Sequence, residues 1–271
     1  MNSRSLTYVF DLDGVITNPA NSEVNATLVH QIYLYLKAGT PVAVNTGRSY
    51  DWVEKNLVGY LKSQGDNTVF ERLIVVCEKG GEMITLLNGV TNITPSRFAL
   101  NEQDYGTTKS VMNDFSSKLT TMFWDETKRT MATIEKLPKA DLTNFRSQQT
   151  FLVEVLTSLL HNENIRIDPT TIATDVESIQ AGKHAGAELI FEWAKSNFPK
   201  VDTFICFGDS ISDYEMARCF AEHEADTTFI YVGKKPEEIR HAKDVKTIIT
   251  SEKFDLGALE YLNSRNSLQL F

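Results

Sequence analysis

Short apolar runs alternate with helix-spaced stretches at both ends of this chain, and that rhythm constrains the fold more than any single residue does. Residues 6–10, 41–45 and 73–77 are continuous apolar runs of strand length, the pattern of strands covered on both faces. Between the first two, Val24, Leu28, Ile32, Tyr35 and Leu36 fall at helical spacing over 23–38, and Gly39 follows as a stop. Trp52, Val53, Leu57 and Leu61 mark a second helix before the third run. Strand, helix, strand, helix, strand is the order of a parallel sheet with crossover helices. The rhythm resumes near Lys183, with a helix over 185–194, a strand over 201–207 and a helix through Ala217. A strand over 229–232, a short helix opened by Pro236, an edge strand over 247–249 and a helix over 254–262 complete it.

The middle of the chain is of another kind. After Glu78-Lys79-Gly80-Gly81, residues 82–87 and 90–93 flank Asn88-Gly89, a strong hairpin signal. From about 95 to 176 the pattern predicts a helix over 102–121, a strand over 130–135 and a helix over 144–162. Two extended pieces, 165–167 and 171–174, follow on either side of Asp168-Pro169. Strands and helices without a βαβ order indicate a separate α+β module inserted into the first. The expected organisation is a discontinuous α/β core domain of residues 1–93 and 177–271, interrupted by an inserted α+β domain of residues 94–176.

A length of 271 residues allows one large domain or two modest ones, each with its own core. A formal net charge of −9 opposes nucleic acid or an anionic membrane as the main partner. An anionic small molecule remains compatible, because a few local cations invert the sign at one site. Cys77, Cys206 and Cys219 are widely spaced and read as reduced, buried thiols. The five histidines show no metal-ligand spacing, and nothing requires an organic cofactor. No apolar signal region or membrane-length run is present, so a cytoplasmic location is expected.

Chemistry concentrates where the apolar runs end. Asp11 and Asp13 follow the first run, and residues i and i+2 of an extended backbone face the same side. Paired acids there are costly to desolvate unless a cation or a lysine faces them. Thr46 precedes Gly47 after the second run, Lys183 follows Ala181-Gly182, and Asp209 follows Gly208, with Asp213 four residues on. Each alone has an ordinary structural reading: a turn threonine, a solvated lysine, a helix cap, a favourable charge in a first turn. Together they lie at or beside the carboxyl ends of strands predicted to be parallel, where open α/β sheets bind ligands.

On these residues the chain resembles the haloacid dehalogenase-like (HAD) superfamily. Asp11-Leu12-Asp13-Gly14-Val15 is similar to its first motif and Asn45-Thr46-Gly47-Arg48 to its second. Lys183 after Ala181-Gly182 is similar to the third, and Gly208-Asp209-Ser210-Ile211-Ser212-Asp213 to the fourth. The Glu78-Lys79-Gly80-Gly81 segment is similar to the short motif of members with a type IIB cap, which lies between the second and third motifs. The resemblance implies a Rossmann-like parallel-sheet core with an inserted cap domain. It implies Asp11 as nucleophile and Asp13 as general acid and base. It also implies Mg2+ held by Asp11, the Asp13 carbonyl and Asp209, with Asp213 as ligand or support. Thr46, Gly47, Lys183 and the Leu12 and Asp13 amides would hold the phosphoryl oxygens.

An acid at position 13 suits a leaving alkoxide, which needs a proton, and so points to phosphate esters. Type IIB caps occur on sugar-phosphate phosphatases, Cof-like phosphatases and phosphomannomutases. The expectation is Mg-dependent hydrolysis of a small sugar or polyol phosphate through an aspartyl-phosphate. A sugar phosphomutase is one alternative, and a catalytically silent HAD-fold binding protein is another. Arg48 and Lys79 follow core strands that end at the site and are candidate substrate contacts. Lys128, Arg129, Asp175 and Glu177 are candidates in the cap, each also readable as a solvated surface charge. Trp52, Trp124 and Trp193 read as packing residues.

Overall fold

The computed structural model describes residues 5–239 and 243–269. The chain divides into two compact units, one of Met1–Thr94 with Gly182–Phe271 and one of Pro95–Ala181. Residues 1–4, 240–242 and 270–271 of the expected core domain lie outside the described residues.

In the first unit, β1 (Ser5–Phe10), β2 (Val42–Asn45), β3 (Leu73–Cys77), β4 (Glu82–Leu87) and β5 (Val90–Pro95) form one side of a sheet. The returning chain adds β10 (Val201–Gly208), β11 (Asp226–Tyr231) and β12 (Val245–Ile249) on the other. The order among the described residues is β12-β11-β10-β1-β2-β3-β4-β5, parallel from β12 to β3 and antiparallel between β3 and β4. The strand order therefore reverses at β1, and a doubly wound sheet opens a crevice at the carboxyl end of such a strand.

Alternation along the strands decides which helix lies on which face. Tyr8 and Phe10, Val42 and Val44, Leu73 and Val75 enter a core shared with α1 (Ala26–Lys37) and α8 (Phe254–Gln269). The opposite face carries α6 (Lys183–Asn197) and α7 (Ile211–Glu222), where Phe204 of β10 stacks on Phe220 at 4.1 Å. Helix α1 starts at Ala26 rather than at the expected residue 23, because the Asn25 side chain accepts from the Thr27 and Leu28 amides at 3.1 Å. The second expected helix is α2 (Tyr50–Val53), a π turn over Glu54–Val58 and α3 (Gly59–Lys62). At the hairpin, Asn88 (φ 51°) and Gly89 (φ 76°) are both left-handed, as a type I′ turn requires.

The second unit contains α4 (Glu102–Asp114), β6 (Met122–Trp124), β7 (Ala132–Lys136), α5 (Leu142–Leu159), β8 (Ile165–Pro169) and β9 (Ala173–Ser178). Its sheet runs β6-β7-β9-β8, antiparallel throughout. Val111, Phe145, Leu152 and Leu156 pack on Ala132, Ile134 and Val176 to make a core of its own. Several details depart from the sequence reading. Helix α4 ends at Asp114, seven residues short of Thr121, and β6 was not anticipated. Strand β8 runs on to Pro169, which an edge strand tolerates because it lacks a ladder partner on one side. Strand β9 continues to Ser178, past the residue 176 at which the inserted domain was expected to close. No described helix is long and apolar enough to cross a membrane.

Candidate active site

Asp11 is the first residue after β1. Its amide donates to the Phe207 carbonyl at 3.0 Å, so the β1–β10 ladder extends one residue and sets Asp11 beside the end of β10. Leu12 is wholly buried, and its carbonyl accepts from the Ile16 and Thr17 amides at 3.0 and 2.9 Å. The chain turns sharply there, with Gly14 at φ 76°. A Cβ at Gly14 would collide with the Asp209 carboxylate, so glycine here admits both the turn and the close approach of the fourth motif.

Lys183 opens α6 and reaches into the same place. Its Nζ donates to Asp11 Oδ1 and, at 2.7 Å, to the Asn45 carbonyl, and lies 2.9 Å from Asp213 Oδ1. Asn45, at the end of β2, also donates from Nδ2 to the Lys183 carbonyl at 2.8 Å. The lysine is thus gripped at its backbone and at its tip by one asparagine. Gly186 leaves the space for that side chain, since a Cβ there would overlap it. Asn45 was not singled out from the sequence as a positioning residue. Its signal was an amide at the end of a fully buried strand paired with a glycine inside a helix, where glycine is disfavoured by about 1 kcal/mol.

Asp213 serves α7 as well as the site. Its Oδ2 accepts from the Asp209 and Ser210 amides at 3.2 and 3.1 Å and from Ser210 Oγ at 2.6 Å, and the bond from the Ser210 amide is one half of the capping box of that helix. Its Oδ1 is buried, accepts no directed hydrogen bond, and keeps only the Lys183 ammonium as an ionic neighbour among the contacts described.

The loop after β2 is held by a strained turn. Glu78, Lys79 and Gly80 have φ of 52°, 57° and 100°, three consecutive left-handed residues. The Lys79 amide donates to the Thr46 carbonyl and the Glu78 amide to the Arg48 carbonyl, both at 3.1 Å, and the Gly182 amide donates to the Lys79 carbonyl at 2.7 Å. One turn thus ties the second-motif loop to the start of α6. Thr46 Oγ1 accepts from the Arg48 amide at 3.0 Å, leaving its hydroxyl proton to donate. Arg48 forks the Asp13 carboxylate, with Nη2 at 2.7 Å from Oδ1 and Nε at 3.0 Å from Oδ2, and its guanidinium lies 5.0 Å from the Trp52 ring centroid.

Charge in this group is unbalanced. Burial and the neighbouring Asp213 push the Asp11 carboxyl up to about 8, against the pull of Lys183. Burial and Asp213 likewise push Asp209 up to about 6. Burial favours the neutral amine of Lys183, yet Asp11 and Asp213 hold its ammonium above the ordinary lysine range. Asp11, Asp209 and Asp213 each offer a carboxylate oxygen within 4.8 Å of the others. Three hard oxygen donors fit a divalent cation of the magnesium kind, and Asp213 besides carries a buried oxygen, Oδ1, without a hydrogen bond.

A cleft of about 470 Å³ opens over these residues. Asp11, Asp13, Gly47, Arg48, Lys183, Asp209 and Asp213 all line it, although they come from both ends of the sequence. Thr46 and Leu12 are buried next to lining residues, and Lys79 sits on the left-handed turn. Arg129 belongs to the second unit. Ser210, Ser212 and Thr17 line the cleft without having been anticipated.

No protein-family model and no curated protein matches the sequence. Solved structures do match the fold. The C-terminal domain of a trehalose-6-phosphate phosphatase from C. albicans superposes with a TM-score of 0.66 at 14% identity, covering 98% of this chain and 93% of that one. A haloacid dehalogenase-like hydrolase from Bacteroides thetaiotaomicron gives 0.65 at 14% identity, covering 96% and 98%. An ATP-bound IMP-nucleotidase from Plasmodium falciparum gives 0.56 at 12% identity, covering 79% of this chain and 55% of that one. Likeness that runs through nearly the whole of the first two chains, with the strand order reversing over the clustered carboxylates, makes this the haloacid dehalogenase-like fold.

Proposed function

We propose that this protein is a Mg-dependent phosphomonoester hydrolase acting on a small sugar or polyol phosphate. The observation that carries the reading is the meeting of Asp11, Asp209 and Asp213 around Lys183, three acids and one cation drawn from distant parts of the chain. A phosphoryl dianion is the substrate that such a group suits once a divalent ion has offset the acids.

Asp11 attacks phosphorus, its carboxylate oxygen forming the new P–O bond as the ester oxygen departs, and an aspartyl-phosphate results. Asp13 donates a proton to the leaving oxygen, then takes one from the water that hydrolyses the aspartyl-phosphate. Arg48 orients Asp13 through its two-pronged contact. Lys183, Thr46, Gly47 and the Leu12 amide hold the phosphoryl oxygens and offset charge in the transition state. Asp11, the Asp13 carbonyl and Asp209, with Asp213 beside them, would hold magnesium, which would supply the positive charge that lets two anions meet. We assign leaving-group choice to the inserted unit and its Arg129, and to Arg48 and Lys79 in the core. The trehalose-6-phosphate phosphatase among the fold neighbours supports a sugar phosphate, and the IMP-nucleotidase places nucleoside monophosphates in the panel.

Release of free phosphate from hexose, pentose, polyol, disaccharide and nucleoside phosphates tests the proposal, with Mg2+ and with EDTA. Mg-dependent release favouring a sugar or polyol phosphate, and lost in Asp11→Asn, is the expected result. Silence across the panel would overturn the enzyme, and isomerisation dependent on a sugar bisphosphate without net release would replace it with a phosphomutase.

A further inference from the structure

We infer that His184, Glu188 and Cys219, brought together between α6 and α7, form a second metal site for a borderline-soft divalent ion of the zinc class. Each offers one ligand atom within 4.8 Å of the other two. His184 and Glu188 stand four residues apart on α6 and so share a face. Cys219 comes from α7, which packs against it, and is wholly buried. A reading of the histidines alone misses the cluster, because the donors that complete it are a glutamate on the same helix and a thiol on the next.

The surroundings look built for ligation. Glu188 Oε1 and Oε2 lie 3.0 and 3.1 Å from His223 Nε2, and the His223 ring stacks on Phe191 at 4.1 Å. His184 Nε2 lies 3.0 Å from Glu222 Oε2, and a neutral imidazole donating there carries its lone pair on Nδ1. Metal ligands are commonly oriented by such outer partners. Ion pairing alone accounts for His184 with Glu222 and for His223 with Glu188. The buried Cys219 thiol meets the same Glu188 carboxylate, which together with burial holds its proton on, so the ion would take the place that this proton occupies between sulfur and carboxylate.

The donor set selects the ion. Sulfur, imidazole nitrogen and one carboxylate oxygen are ligands of zinc, whereas magnesium and calcium take oxygen. Zinc bonds of about 2.0–2.3 Å place neighbouring ligands about 3.3–3.8 Å apart. The partly exposed His184 and Glu188 side chains close the remaining distance by rotation. On binding, the Cys219 S–H bond breaks, its proton leaves to solvent, and the sulfur lone pair forms the metal bond, so one proton is released per ion at neutral pH. Water takes the fourth position. The ion would link the first turn of α6, where Lys183 lies, to α7, which carries Asp213.

Cobalt(II) is the probe, titrated into the chelator-stripped protein with Mg2+ in excess to occupy the oxygen site. The expected spectrum has a near-ultraviolet sulfur-to-cobalt charge-transfer band and strong tetrahedral visible bands, saturating at one equivalent and abolished by one equivalent of Zn2+. Cys219→Ser should lose the charge-transfer band, and Glu188→Gln should weaken binding by at least about tenfold. Asp11→Asn should retain the full spectrum. Weak octahedral bands alone, a charge-transfer band that survives Cys219→Ser, or its loss in Asp11→Asn would each overturn the site. Should Cys219→Ser fail to fold by circular dichroism, the partly exposed Glu188→Gln decides, and undiminished affinity there is fatal to the proposal.

Discussion

Asp11→Asn removes an ionisable carboxyl from a buried group of three acids and one lysine, and the metal-free protein should respond in a way that depends on pH. Asp11 is 6% exposed, and burial with Asp213 lifts its carboxyl from 3.8 to about 8. The folded chain therefore keeps this proton over a range in which the unfolded chain has released it. The stabilisation is complete below about pH 4 and is lost as pH rises towards 8, at up to about 1.4 kcal/mol per pH unit. Between pH 5 and pH 8 this one group should weaken the wild type by up to about 4 kcal/mol. Asparagine has nearly the same shape and no charge to lose, so its curve lacks that component. Urea melts in EDTA should find the two proteins most alike near pH 4, with the gap in favour of the variant widening by up to about 4 kcal/mol between pH 5 and pH 8. Added Mg2+ should then narrow the gap by stabilising the wild type, since the ion favours the ionised carboxylate. Parallel curves from pH 5 to pH 8, or a variant less stable at pH 8, would refute the claim that burial and Asp213 outweigh Lys183 at this position.

Gly186→Ala should cost about 1–3 kcal/mol in a thermal or urea melt although alanine is the better helix former, because its methyl lands on the Asn45 side chain that anchors Lys183; an unchanged midpoint would count against that anchor. Asp13→Asn should slow alkyl phosphates by about 10²–10⁴-fold. With p-nitrophenyl phosphate, whose leaving group needs no proton, it should give a one-equivalent burst followed by a stall, and equal losses on both substrates would remove Asp13 as the acid. Arg48→Ala should alter stability by less than about 1 kcal/mol, since the pair is half open to water, while lowering kcat on alkyl phosphates; a variant with full kcat would show that the fork does not position Asp13.

That polar groups at or beside the strand ends could converge was readable because a parallel sheet delivers its loops to one edge whatever the spacing in sequence. Asp11, Lys183, Asp209 and Asp213 reach one cleft for that reason. What could not be read were pairings set by packing. The Arg48 fork on Asp13 and the double hold of Asn45 on Lys183 join residues whose separation in sequence carries no period. The left-handed run at Glu78 and Lys79 was hidden too, since neither residue type favours positive φ, and only the hydrogen bonds on both sides of the turn account for it. In the second unit, β6 has three residues, too few to show alternation. The break assigned to Asp168-Pro169 overlooked that proline ends an edge strand without loss. The helix before it began within two residues of its predicted start because Asp141 caps it through the Asn144 amide at 2.8 Å.

The place of β1 at the centre of the sheet bears on how the polypeptide is made. Phe10 is registered against Phe207, so one flank of β1 stays open until nearly two hundred further residues have been synthesised. At ribosomal speeds that delay is roughly 10–40 s, during which a bare apolar strand edge is available to foreign strands. Nascent chains halted before β10 should accumulate as aggregates, and chaperone capture should concentrate on those halted lengths.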